Sequence, residues 1–227
     1  MLTRIAASRP RALIFVLVLA LGYPYATAVG IWSGWLQPST LPFPMRVGFN
    51  IIFQLGLLAL LDGILRGQRR SWRDLGLGFS WLDVLHGLGL WIGSYLLSAL
   101  VYTIAWYLSL AITGQPLVLR PSNLEWLHDG PFVMLLIYTL TNPFFEELIV
   151  RAYAMTELSD MRLPSDLIVL LSVLVQTGYH IYQGVPSMLL LSSTFLLFAL
   201  YYAATRRALP IVIAHLCLDL FGLLSYR

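Results

Sequence analysis

Long apolar stretches, separated by short linkers rich in proline, glycine or charge, dominate the hydropathy pattern of this chain. A helix that crosses the hydrocarbon core of a bilayer needs about 20 mostly apolar residues. By this measure the pattern predicts seven spans, at about residues 12–34, 47–65, 82–113, 131–158, 166–185, 187–205 and 209–225. The third is long enough for one tilted helix or for a span with an added half-helix, which would give eight. We therefore predict an all-α fold, a polytopic transmembrane helical bundle in which residues 1–227 form a single integral membrane domain.

The composition supports a membrane protein and excludes some chemistry. Hydrophobic residues make up 59% of the chain and charged residues only 11%, whereas about a quarter of a soluble domain is charged. All fourteen basic residues are arginines, so the absence of lysine excludes Schiff-base catalysis and a Ser-Lys dyad. The single cysteine, Cys217, has no partner for an internal disulfide.

Arginines flank the apolar spans unevenly, and this asymmetry predicts the orientation of the chain. Cytoplasmic loops of membrane proteins carry the excess of arginine and lysine. The clusters precede the first span, follow the second and precede the last: Arg4, Arg9, Arg11, Arg66, Arg69, Arg70, Arg73, Arg206 and Arg207. We therefore predict a cytoplasmic N-terminus, with Arg46 and Arg120 as exceptions on the outer side. This charge relates to topology, so we expect the lipid bilayer and no nucleic acid as a partner.

The start of the first span also permits a second interpretation. Residues 26–28 (ATA) resemble a signal-peptidase site, which would mark a removed signal peptide. Apolar residues continue beyond that site through Trp32. We therefore favour an uncleaved first span.

The fourth span contains an unusual group of charges. Each ionisable group at membrane depth costs roughly 2.5–3.5 kcal/mol on insertion scales and usually marks a functional site. Here Glu146, Glu147 and Arg151 all lie within one apolar stretch. Glu147 and Arg151 are four residues apart and can pair along one helix face, either as a purely structural ion pair or as support for a site. Glu146 lies about 100° round the helix and cannot share that geometry equally, so it is the carboxylate that we expect to be functional.

Two further spans carry polar residues at helical spacing. The fifth has a stripe at every fourth position, consisting of Ser172, Gln176, His180 and Gly184. The seventh has His215 and Asp219, again four residues apart. At about 1.5 Å per residue, Glu146, His180 and Asp219 lie at a similar depth, roughly 18–21 Å from the basic side, and His215 is shallower at roughly 12 Å. We therefore predict one shared site, although a lone intramembrane histidine can also serve as a hydrogen-bonding group between helices.

These residue types indicate hydrolysis by activated water. A carboxylate beside a neutral imidazole can hold and deprotonate a water molecule, and a second histidine with a hydrogen-bonding neighbour can stabilise an oxyanion. Glu146, His180 and His215 could in principle also supply a His₂Glu zinc site. Each of them comes from a different span, however, and Asp219 is better suited to orient His215 than to bind a metal. We expect catalysis without a metal or other cofactor.

The order of these motifs resembles the CAAX prenyl protease and bacteriocin-processing family (CPBP, also ABI) of intramembrane glutamate proteases. The motifs read EELIVR from Glu146, QTGYH ending at His180 and HLCLD from His215. The resemblance covers about residues 127–224, which would be the catalytic core. The chain departs from the family pattern at Gln176, where Phe is usual, and at residues 150–152, where Phe-Arg-Gly is common.

The resemblance implies a role for each site residue. Glu146 and His180 would activate water, His215 and Asp219 would form or support the oxyanion site, and Glu147 would pair with Arg151. The Gln176 departure would affect substrate preference rather than the base.

The implied function is a membrane-embedded endopeptidase, similar to type II CAAX prenyl proteases, that acts on a prenylated or membrane-associated peptide or protein. Two alternatives remain: an inactive relative that serves as a membrane scaffold or bacteriocin-immunity factor, and a small proton-coupled carrier. The absence of an internal repeat weakens the carrier interpretation.

Overall fold

The computed structural model describes residues 8–36, 42–119 and 130–225, and these ranges form a bundle of seven helices. The helices are α1 (Arg9–Trp32), α2 (Phe43–Gly67), α3 (Trp81–Thr113), α4 (Phe132–Asp160), α5 (Ser165–Gly178), α6 (Val185–Thr205) and α7 (Leu209–Ser225). Two short 3₁₀ turns, Trp72–Leu75 and Ile181–Gln183, lie in the linkers. The predicted all-α membrane bundle is confirmed. Arg4, Arg120 and the linker at residues 37–41 lie outside the described residues.

The helices correspond closely to the predicted spans, except at the end of α5. The third span is a single helix of 33 residues, so the described ranges contain seven helices rather than eight. α1, α2, α3, α4 and α6 are long and apolar enough to cross a membrane, whereas α5 has 14 residues and α7 has 17.

α5 was expected to continue to about residue 185, and that expectation was wrong. It ends at Gly178, where the hydroxyl of Tyr25 on α1 donates to the Val175 carbonyl at 2.6 Å. Gly184, with a φ of 88°, then separates the 3₁₀ turn from α6. The predicted polar stripe of α5 therefore stops at Gln176, and His180 lies in the turn that follows the helix.

The basic linkers lie together on one face of the bundle. Arg9 at the start of α1 pairs with Asp160 at the end of α4, and Arg70 after α2 pairs with Glu157, also near the end of α4. Arg207 before α7 makes two hydrogen bonds, of 2.6 and 2.7 Å, to the carboxylate of Asp83 at the start of α3. The starts of α1, α3 and α7 thus share a face with the ends of α2, α4 and α6, as an alternating bundle requires.

The second half of α4 forms the centre of the bundle. All residues from Phe145 to Glu157 are buried. A helix buried on all sides belongs to the core of a bundle, and α4 contacts α2 and α7 while its central part contacts α1, α5 and α6. By contrast, α3 packs mainly against α6 and α7 and exposes many apolar side chains.

The centre of α4 is a π-helix over residues Glu147–Met155. It begins four residues after Pro143, which α4 incorporates without a break. A π-helix has i→i+5 hydrogen bonds, and π segments inside α-helices are frequent at functional sites. This segment carries the two charged residues Glu147 and Arg151 into the buried core.

Candidate active site

A cavity of about 370 Å³ lies among α3, α4, α6, α7 and the turn after α5. Four of the residues singled out in the sequence line it: Glu146, His180, His215 and Asp219. They come from α4, α7 and the turn after α5, so the expected convergence on one site is present. Glu147 and Arg151 are fully buried and do not line the cavity.

Glu146 is the carboxylate of α4 that faces the cavity. It is 7% exposed, and its Oε2 accepts a hydrogen bond of 2.7 Å from Nε2 of Gln176 on α5. The expected effect of Gln176 on substrate preference stays a prediction, and the structure adds a contact with Glu146 that the sequence did not indicate. The amide contacts the Glu146 carboxylate directly, where phenylalanine would offer no donor.

Glu147 lies behind the cavity wall and holds His215. The expected contact with Arg151 is present but long, at 3.4 Å, whereas Oε1 of Glu147 lies 2.7 Å from Nδ1 of His215. The Arg151 guanidinium also lies 5.1 Å from the centre of the Phe195 ring, within range of a cation–π contact. The pair thus links the π-helix of α4 to the histidine of α7.

His180 is oriented by the end of α5. Its Nδ1 lies 2.8 Å from the Gln176 carbonyl oxygen. Because a carbonyl only accepts, Nδ1 carries the hydrogen, and Nε2 of the neutral imidazole is left as an acceptor. Tyr25 supports this turn, since its ring packs edge-on against Tyr179 and its hydroxyl lies where a side chain at residue 178 would collide.

His215 and Asp219 lie one turn apart on α7. Nε2 of His215 is 3.5 Å from Oδ1 of Asp219, so both ring nitrogens of His215 face carboxylates. Nδ2 of Asn142 on α4 lies 3.5 Å from Oδ2 of Asp219, and Oδ1 of Asn142 accepts a hydrogen bond of 2.8 Å from Nε2 of Gln54 on α2. This chain of contacts connects four residues from three helices.

Gln54 was missed in the sequence, and Asn142 was not recognised as part of the site. Asn142 lines the cavity, and Gln54 is buried, with 5% of its surface exposed. Their side-chain amides within apolar stretches could have pointed to both residues, because an amide in a membrane span needs a hydrogen-bonding partner. That signal does not identify the partner.

The positions of the possible metal ligands bear on the alternative of a zinc site. Across residues 8–36, 42–119 and 130–225, no three His, Cys, Asp or Glu side chains are grouped closely enough to hold a metal ion. Since both nitrogens of His215 face carboxylates, ligation by His215 would require one of these contacts to break.

The fold and the site define an integral membrane protein with buried carboxylates and imidazoles around a cavity. Residues 128–221 match the family described as type II CAAX prenyl endopeptidase, Rce1-like. This match confirms the resemblance drawn from the three motifs, and it contains Glu146, His180, His215 and Asp219. We found no significant match among curated proteins or solved structures.

Proposed function

We propose that this chain is an intramembrane endopeptidase that hydrolyses a peptide bond of a prenylated or membrane-associated peptide or protein. The observation that carries the proposal is the position of the two adjacent carboxylates. Glu146 lines a cavity together with His180, His215 and Asp219, whereas Glu147 lies behind that cavity and pairs with Arg151. One carboxylate is therefore available to a substrate and the other supports the site.

Glu146 is the general base in this proposal. It removes a proton from a water molecule as the water oxygen attacks the scissile carbonyl carbon. The acceptor nitrogen of His180 helps to hold that water, and the Gln176 amide fixes the carboxylate. When the tetrahedral intermediate collapses, the proton passes from Glu146 to the leaving nitrogen and the C–N bond breaks.

The walls of the cavity support an apolar substrate. Leucine and phenylalanine side chains of α6 and α7 line it beside the polar groups: Leu190, Leu191, Phe195, Phe198, Leu218 and Leu223. A ligand site of this kind combines apolar contacts with a few polar groups that set orientation. A peptide that carries a lipid or an apolar segment fits this combination.

A cleavage assay tests the proposal directly. The purified full chain in detergent is given a fluorogenic peptide with a farnesylated cysteine fourth from its C-terminus, and the same peptide with an unmodified cysteine. We expect cleavage, with the higher kcat/KM for the farnesylated peptide. Equal rates would contradict prenyl recognition, and binding of both peptides without cleavage would contradict the endopeptidase and favour the scaffold alternative.

Catalysis is expected to be independent of metal. Both ring nitrogens of His215 face carboxylates, and Glu146 with His180 can activate water directly. Cleavage of the farnesylated peptide should survive prolonged treatment with a chelator, and elemental analysis of the purified protein should find no stoichiometric zinc. Loss of activity that zinc restores, and that calcium or magnesium does not, would contradict this expectation and make His180 and His215 ligands.

The face that carries the arginine clusters is expected to be cytoplasmic, as positively charged loops of membrane proteins usually are. We propose single cysteines at Ser71, in the basic linker, and at Gln115, after α3, each in a Cys217→Ser background. Both positions are exposed. In intact cells an impermeant maleimide should label the cysteine at 115 and not the cysteine at 71. Labelling at 71 from outside would reverse the orientation.

A further inference from the structure

We infer that Asn142 donates a hydrogen bond to the oxyanion that forms on the scissile carbonyl, and that Gln54 positions it. This inference rests on the proposed endopeptidase function and adds to it a donor that the sequence motifs do not contain. Hydrogen-bond donors aimed at the developing negative charge are usually the largest single contribution to catalysis of acyl transfer. Such a donor must be a group of this cavity that carries an N–H or O–H hydrogen.

The two residues that the family motif suggests for the oxyanion site leave room for a further donor. An ionised carboxylate has no hydrogen and only accepts, so Asp219 repels an oxyanion. Both ring nitrogens of His215 face carboxylate oxygens, at 2.7 Å for Glu147 and 3.5 Å for Asp219. The Nδ1 of His215 is thus taken up by Glu147, and only its Nε2, at the longer contact, is open to an oxyanion.

The side-chain amide of Asn142 can donate to the oxyanion and lies on the cavity wall near Glu146. It lines the cavity four residues before Glu146, on the same helix, which places donor and base about 6 Å apart along the axis. Its amide carries two N–H groups. Only one of them points to Asp219, across a distance of 3.5 Å that is at the outer limit of a hydrogen bond. A substrate carbonyl between Asn142 and Glu146 meets a donor on one side and the base on the other.

Gln54 sets the orientation of this amide. Because Asp219 only accepts, the nitrogen of Asn142 faces it and the oxygen of Asn142 faces Gln54. Nε2 of Gln54 donates to that oxygen at 2.8 Å, and Oε1 of Gln54 lies 3.2 Å from the hydroxyl of Thr141. Gln54 is buried on α2 and does not line the cavity, so it acts through Asn142.

Other donors face the cavity, and the test must separate them. Tyr138 lies one further turn from Glu146 on α4, about 12 Å from it along the axis, and Tyr182 lies in the turn after α5. We expect neither hydroxyl to reach the oxyanion. Tyr138→Phe serves as the comparison on α4. Asn50→Ala serves as the matched control, because it removes an amide of α2 that donates to the Arg46 carbonyl at 2.9 Å.

The experiment compares the farnesylated peptide with its analogue in which sulfur replaces the scissile carbonyl oxygen. Sulfur is the weaker acceptor, so the ratio of the two rates reports on a donor to that atom, in the manner of a double-mutant cycle. Asn142→Ala and the isosteric Asn142→Asp should lower kcat about 10²–10³-fold with little change in KM. Both should also reduce the oxygen-to-sulfur rate ratio. Gln54→Leu should lower kcat less and reduce the same ratio, while Asn50→Ala stays near wild type and Tyr138→Phe leaves the oxygen-to-sulfur rate ratio unchanged.

The outcomes separate the two proposals. Wild-type cleavage with an unchanged rate ratio in both Asn142 variants would overturn this inference alone. A large loss in Tyr138→Phe with a reduced ratio would assign the donor to Tyr138 instead. If the wild-type protein cleaves neither farnesylated nor unmodified peptide, the proposed function fails and this assignment fails with it.

Discussion

The Glu146→Gln variant should lose activity by about 10²–10⁴-fold in kcat, the range that a general base contributes. Glutamine has the same shape but cannot take a proton at neutral pH. Its side-chain oxygen can still accept the hydrogen bond from Gln176, so the local packing is retained. Initial rates on the farnesylated peptide measure the loss, and thermal unfolding in detergent should show a midpoint near that of the wild-type protein.

A matched control separates this effect from a general loss of negative charge. Asp166→Asn also removes one carboxylate, but Asp166 is exposed in the first turn of α5 and does not line the cavity. That variant should cleave at the wild-type rate. Retained cleavage by Glu146→Gln would refute the assignment of the base, and it would favour Glu147 or a histidine in its place.

Arg151→Ala should destabilise the protein by about 3–5 kcal/mol, the cost of removing one member of a buried ion pair. Both side chains of the pair are fully buried, and the variant leaves the Glu147 charge without its cation. Glu147→Ala should destabilise similarly and should also reduce activity, because His215 loses its contact of 2.7 Å. Thermal or denaturant unfolding in detergent measures the stability, and the peptide assay measures the activity.

Arg66→Ala provides the control for removing an arginine from an ion pair. Arg66 pairs with Asp62 at the same four-residue spacing, but its side chain is 78% exposed. Exposed pairs contribute only about 0–1 kcal/mol, so this variant should unfold close to the wild-type protein. Equal stability of Arg151→Ala and Arg66→Ala would mean that the buried charge has another compensating partner.

The spans could be predicted because their length and apolar character are local properties of the sequence. The end of α5 could not, because apolar residues continue beyond it and the group that terminates it comes from α1. Tyr25 caps the Val175 carbonyl across 150 positions of the chain. His180 still reaches the cavity because the turn after Gly178 is compact, so the residue that the motif indicated lines the cavity from a turn and not from a helix.

The site was predictable only where residue chemistry is rare in a membrane. Carboxylates and histidines at depth stand out, and the four expected residues do meet at one cavity. The contact between Glu147 and His215 depends on how the π-helix of α4 faces α7, which an ideal 3.6-residue repeat does not describe. The Gln54–Asn142 pair depends on packing of α2 against α4, and an isolated amide carries no information about its partner.

The unequal helix lengths have a consequence for the surrounding lipid. α3 is about 50 Å long, well beyond a hydrocarbon core of about 30 Å, whereas α5 measures only about 21 Å. Both helices present apolar side chains outward, including Leu170 and Leu174 on α5. Hydrophobic mismatch of this size is relieved by tilt for the long helix and by local thinning of the bilayer beside the short one. We therefore expect the bilayer to be thinner beside α5, the helix that leads into the turn carrying His180.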